Sequence, residues 1–136
     1  MSNAYFKVPQ PINEPVKAYK PGSPEREELK KKLTELKSKQ IEVPLIIGGE
    51  EVRTGNTEKM VIPHNHSHVL GIYHKAGKKE VDMAVEAALE ARKTWSEMPW
   101  EHRVSVFLKI ADLLAGPWRS TINAATMLGQ SKTAYQ

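Results

Sequence analysis

Leu29, Leu33 and Leu36 recur at i, i+4 and i+7 within "SPEREELKKKLTELKSK", a single narrow apolar stripe of helical period. The spacing predicts a helix there. Ser23 stands at its N-cap, Pro24 suits the first helical position, and Glu25 meets the positive end of the helix dipole. Ahead of it, Pro9, Pro11, Pro15 and Pro21 crowd residues 1–22 and predict an extended arm, because proline removes a backbone donor and opposes helix. Between Ile41 and Lys75 the period shortens. "VPLIIGGEEV" runs apolar, then Gly48-Gly49, then acidic and apolar again, which predicts a hairpin. "KMVIP" and "HVLGIYHKA" predict two further strands joined by the histidine-rich segment between them. Short antiparallel strands of this kind need a second layer to pack on.

From Lys78 onward the helical period returns. Val81, Ala84, Val85, Ala88 and Leu89 form one face, with Trp95 near its end. Pro99 opens a second helix lined by Val104, Phe107, Leu108, Ala111 and Leu114, and Gly116-Pro117 closes it. A third begins at about Trp118 and carries Ile122, Ala125 and Leu128. It is expected to run through "GQSKTAYQ" to Gln136 without a cap, an unfinished end. Strand and helix signals together make the chain α/β: extended arm, one helix, short antiparallel strands, then three helices.

At 136 residues the chain suffices for one domain and not for two ordinary ones. Its 40% hydrophobic and 26% charged residues match a globular protein rather than a disordered one. No apolar run approaches the ~20 residues that cross a bilayer. "MSNAYFKVPQ" has neither the apolar stretch of a secretory signal nor an Arg-rich presequence pattern, so the cytoplasm is the default expectation. A net charge of +4 and a pI of about 9.3 raise the question of nucleic acid. Lys30, Lys31, Lys32, Lys37 and Lys39 fall largely off the leucine stripe, but Glu27, Glu28 and Glu35 are interleaved with them. That mixed field is a solvated helix face, and neither a nucleic-acid nor a membrane partner is expected.

The chain has no cysteine, which removes disulfides, thiolate metal sites and thiol nucleophiles together. His64, His66 and His68 are then the candidate metal ligands. On a straight strand they would share one face, each pair roughly 6.6 Å apart and the outer two about 13 Å apart. Three nitrogens each ~2.0 Å from one zinc cannot be drawn from such a ladder without a sharp bend. Asn65 and Ser67 are turn residues, so a polar connection between strands is the favoured reading and a metal site the lesser one. His74 and His102 stand alone and are expected to be structural. "IIGGEE" has two adjacent glycines but neither G-x-G-x-x-G nor a Walker pattern. Catalytic, cofactor-binding and metal residues are therefore all expected to be absent from this chain.

Several stretches nonetheless carry a likeness: "NEPVKAYKPGSPER", "VPLIIGGEEVRTG", "IPHNHSHVLGIYHKA", "AVEAALEARKTWSEMPWEHRVSVFLKIADLLAG" and "TMLGQSKTAYQ". Over about nine-tenths of its length the chain resembles the beginning of an aldehyde dehydrogenase. The helix pair with Trp95, Pro99 and Arg103 resembles the whole superfamily. The Pro-Gly-Ser-Pro-Glu-Arg opening, the histidine-bearing turn and "GQSKTAYQ" resemble its 1-pyrroline-5-carboxylate branch, which acts on L-glutamate γ-semialdehyde.

The resemblance implies the N-terminal part of a Rossmann-type NAD-binding domain, with residues 1–22 as an arm and residues 23–136 as an incomplete portion of that domain. It implies NAD as cofactor and a homo-oligomer in the longer protein. The implied chemistry is attack of a cysteine thiolate on the aldehyde, hydride transfer to NAD⁺, and release of glutamate by a glutamate-activated water in proline breakdown. No residue of that machinery maps onto this sequence. The resemblance also implies that the last helix continues past Gln136, making the chain a truncated portion and catalytically silent alone. Two rival readings remain: an interaction module docking on a full-length homologue, and a histidine-based metal binder.

Overall fold

In the computed structural model, which describes residues 5–136, the proline-crowded stretch up to Gly22 carries neither helix nor strand. Pro24 then opens α1 (Pro24–Lys37). Ser23 occupies the N-cap and its carbonyl accepts from the Glu27 N–H, but its hydroxyl makes no capping bond. The leucine stripe does face inward. Leu29 is buried, and Leu33 and Leu36 pack around the small core that it forms with Tyr19 and Ala124.

A hairpin and two further strands were expected, and five strands form: β1 (Ile41–Val43), β2 (Leu45–Ile47), β3 (Glu50–Val52), β4 (Thr57–Ile62) and β5 (Asn65–His74). Gly48 and Gly49, at φ 62° and 89°, turn β2 back onto β3 in the expected hairpin. Pro44 has no N–H to offer a ladder and separates β1 from β2. Freed from the hairpin, β1 pairs parallel with β5, Ile41 opposite Gly71 and Val43 opposite Tyr73. The larger sheet is thus β1-β5-β4, mixed rather than antiparallel throughout. Only glycine fits at position 71, where a Cβ would collide with the Ile41 carbonyl oxygen.

The histidine-rich segment is also placed differently from expectation. Only Pro63 and His64 form the turn, whereas His66 and His68 lie inside β5. One step along β4, from Val61 to Ile62, spans the whole stretch from Val69 to Asn65 on β5. The ladder bulges there, so the straight-strand geometry that would align three imidazoles on one face does not apply.

Three helices follow: α2 (Lys78–Trp95), α3 (Trp100–Ala115) and α4 (Arg119–Gln130). The last stops at Gln130 instead of running to Gln136. Ser131 takes a left-handed conformation, φ 54° and ψ 32°. After Leu128 the next positions on the inward face are Ser131 and Lys132, which have no apolar surface to bury, so nothing holds another turn in place. The final residues fold back instead. The Tyr135 hydroxyl donates to the Ala18 carbonyl at 2.8 Å, and its ring meets Tyr19 edge to face at 6.3 Å between centroids.

α4 supplies Ser120, Ala124 and Leu128 to the interior, but α2 and α3 bury none of their residues. Their apolar faces are present and uncovered: Val85 is 53% exposed, Leu89 57% and Phe107 63%. No helix among the described residues is long and apolar enough to cross a membrane.

Candidate functional site

Among the described residues, His74 at the end of β5 is the buried side chain that carries both a carboxylate partner and backbone donors. Its Nδ1 accepts from two successive backbone N–H groups, Thr54 at 3.0 Å and Gly55 at 3.2 Å. Those donors leave no room for a proton on Nδ1, so the ring proton sits on Nε2 and is donated to Glu42 Oε1 at 2.7 Å. Arg53 flanks the same carboxylate at 3.5 Å and binds Glu51 at 2.7 Å. The hydrogen bond from His74 is the main cause that holds the Glu42 carboxyl below the ordinary value of 4.5; desolvation opposes it, and the Arg53 charge assists. The Thr54 hydroxyl, donating to the Lys75 carbonyl at 3.1 Å, closes the other side.

Both nitrogens of His74 are therefore spent on structure. The ring joins β1, β5 and the turn after β3, and it has no free lone pair with which to accept a substrate proton. Its isolation in the sequence is consistent with the structural role expected for it. What the sequence did not disclose is the partnership with Glu42, because the parallel pairing of β1 on β5 is what brings the two together.

The other histidines are drawn apart. His64 Nδ1 lies 2.7 Å from the Ser131 hydroxyl, beyond the end of α4. His68 Nε2 lies 3.1 Å from the carbonyl of Lys37, the last residue of α1. A carbonyl only accepts, so His68 donates, satisfying one of the carbonyls that every helix leaves open at its C-terminus. His66 and His102 are exposed. Among the described residues, no group of three or more His, Cys, Asp or Glu is placed to hold a metal ion. The bulged segment is instead a tie between the sheet and the ends of two helices.

Among the described residues, the adjacent glycine pair does not form a dinucleotide cradle. The glycine pair at positions 48 and 49 closes a β-hairpin, and a Cβ on Gly48 would sit 3.5 Å from Ala87 of α2. It turns the hairpin onto a helix flank and does not open a helix N-terminus, where a pyrophosphate would be held. This glycine pair does not fit the pyrophosphate of NAD.

Residues 51–135 match the aldehyde dehydrogenase family. The chain is 46% identical over 134 residues to the delta-1-pyrroline-5-carboxylate dehydrogenase of Agaricus bisporus, covering 98% of itself and 24% of that protein. It is 46% identical over 124 residues to the human mitochondrial delta-1-pyrroline-5-carboxylate dehydrogenase, covering 91% of itself and 22% of that protein. Its fold superposes with a TM-score of 0.94 on the crystal structure of the delta-pyrroline-5-carboxylate dehydrogenase of Mycobacterium tuberculosis bound with NAD, at 46% identity, over 98% of this chain and 25% of that one. The chain thus spans about a quarter of the length of the relatives that it matches.

Proposed function

This chain belongs to the aldehyde dehydrogenase family, and from that premise we propose that it is the N-terminal portion of a 1-pyrroline-5-carboxylate dehydrogenase. On this reading the whole protein oxidises L-glutamate γ-semialdehyde to L-glutamate with NAD as cofactor, in proline catabolism, and works as a homo-oligomer. Residues 1–22 are its arm and residues 23–136 belong to its dinucleotide-binding domain. The observation that carries the reading is the 46% identity to a relative of that name across 98% of the chain. We assign the protein to the cytoplasm. The mitochondrial name of the human relative makes cell fractionation the deciding measurement there.

With no cysteine in the sequence and the Gly48-Gly49 pair spent on a hairpin, the nucleophile and the cofactor contacts are assigned to polypeptide outside these residues. No catalytic, cofactor-binding or metal residue is assigned here. These residues supply a buttress. The His74 clamp fixes β1 against β5, His64 and His68 tie the sheet to the helix ends, and the apolar faces of α2 and α3 are offered to a neighbouring layer.

NADH formation from L-glutamate γ-semialdehyde and NAD⁺ tests the proposal. The 136-residue chain is expected to give none. The product of the reading frame continued past Gln136 to a reactive cysteine is expected to turn over and to lose activity when that cysteine becomes alanine. Turnover by the chain alone, or an inert extended product, overturns the reading. The uncovered faces of α2 and α3 equally suit a module that docks on a full-length homologue; a discrete complex on mixing the two, with a sharp cooperative melt of this chain alone, would favour that instead.

A further inference from the structure

Between α1, α4 and the β1-β5-β4 sheet lies a half-open cavity of about 410 Å³. Its walls are apolar and come from five elements: Leu36 of α1, Ile41 of β1, Met60 and Val61 of β4, Leu70 of β5 and Leu128 of α4. The volume is that of a small-molecule site. Two exposed lysines, Lys39 and Lys59, also line it, with Tyr73 of β5. Lys39 is already bonded to Glu35 at 3.2 Å. Lys59 forms no ion pair among the described residues.

We propose that this cavity binds an amphiphilic anion, with an alkyl chain laid along the leucine and methionine walls and a carboxylate at Lys59 and Lys39. The two halves of the ligand follow from the two halves of the site. The walls offer almost nothing for a polar solute to hydrogen-bond, so what enters gains by leaving water. The mouth is net positive, since Glu35 offsets only one of its two cations, and it therefore selects a negative head over a neutral or cationic one. This inference is independent of the dehydrogenase reading, because it requires neither NAD nor the aldehyde.

Gly129 makes a clean test. It lines the cavity from α4, and a Cβ added there meets nothing within 4 Å. Gly129→Leu therefore fills the space without a clash at its root, and it replaces a poor helix former by a good one. Decanoate, kept below its micelle concentration, is titrated into the 136-residue chain carrying ¹³C-methyl methionine. The Met60 signal is expected to shift saturably while those of Met83 and Met98 stay fixed. Gly129→Leu is expected to abolish the shift and to keep the thermal transition. Lys59→Glu, an exposed change, is expected to weaken binding at least tenfold, and decanol to bind at least tenfold more weakly than decanoate. Absence of a saturable Met60 shift in the unaltered chain, a shift that survives Gly129→Leu, or equal binding of decanol and decanoate overturns the proposal. Should Gly129→Leu fail to fold, the response to Lys59→Glu and to decanol decides it.

Discussion

Glu42 and His74 stand 32 positions apart in the sequence and 2.7 Å apart in space, one on each of two parallel-paired strands. The bond is directional, imidazole to carboxylate, because the far side of the ring is held by the N–H groups of Thr54 and Gly55. Replacing His74 by leucine keeps the bulk and removes the acceptor. Two backbone donors then lose their partner together, and the Glu42 carboxylate keeps only Arg53. Orphaned groups of this kind cost about 1–3 kcal/mol each when fully buried, and these are partly buried. His74→Leu is expected to destabilise the chain by about 3 kcal/mol in urea denaturation; a loss below about 1 kcal/mol would show that the clamp carries no weight.

The same bond sets a pH dependence with a definite sign. Glu42 titrates below the ordinary glutamate value of 4.5 in the folded chain. A depressed carboxyl stabilises the fold fully above its unfolded value and loses that contribution as pH falls through the folded one. Glu35 is also lowered, by hydrogen bonds from Lys32 and Lys39, and Glu25 is lowered by a backbone hydrogen bond, so the slope of the unaltered chain mixes the three. The difference between the chain and its Glu42→Gln variant isolates Glu42. That difference is expected to be constant from neutral pH down to about 5 and to shrink steadily below 4.5. A gap that widens on acidification would contradict the sign.

Gly71 faces the backbone of Ile41 across the parallel pair, too close for any side chain. A methyl group there has no flexible neighbour to displace, only a peptide. Gly71→Ala is expected to separate β1 from β5 and to cost about 3 kcal/mol, the upper end for overpacking. Hydrogen exchange should show it most sharply at β1, where Glu42 would lose its approach to His74. Unchanged protection of Val43 would mean that β1 is held by something other than that pairing.

Much of this architecture was legible from periodicity, and the misses have particular causes. The leucine stripe of α1 and the glycine pair of the hairpin each carry a local signal, and both formed as expected. β1 has only three residues, and its partner lies beyond the hairpin and β4, so no local pattern reveals a parallel pair. The early end of α4 was hidden because "SKTAYQ" contains no glycine or proline stop. Ser131 adopts the left-handed conformation usually left to glycine. The faces of α2 and α3 were read correctly as apolar, but periodicity tells which side is greasy and not whether anything covers it.

That last distinction can be measured. Val85 and Phe107 have the sequence signature of core positions yet are more than half exposed. Val85→Glu and Phe107→Glu are each expected to change the stability of this chain by no more than about 0.5 kcal/mol, as surface substitutions do. Leu128, 3% exposed, is the internal control, and its replacement by alanine is expected to cost about 2–5 kcal/mol. Equal losses at Val85 and Leu128 would mean that α2 packs against something within or between chains.

Tyr19 and Tyr135 meet edge to face, but they do not share the load. Tyr19 is 8% exposed and Tyr135 is 76% exposed. Tyr19 sits at φ 48°, its hydroxyl accepts from Asn123 Nδ2 at 3.1 Å, and its carbonyl accepts from Arg26 at 3.1 Å. A bulky residue held in that backbone region costs of order 1–3 kcal/mol, so its surroundings must over-determine it. Tyr19→Ala empties a core position and is expected to cost about 3–5 kcal/mol, and Tyr19→Phe about 1 kcal/mol through the stranded Asn123 amide. Tyr135→Ala removes a ring mostly in water and one hydrogen bond to Ala18, so about 1 kcal/mol is expected. In a double-mutant cycle the two tyrosines should couple by about 0.5–1.5 kcal/mol, the scale of an aromatic pair. Coupling near zero would show that the chain end rests on Tyr19 without bracing it.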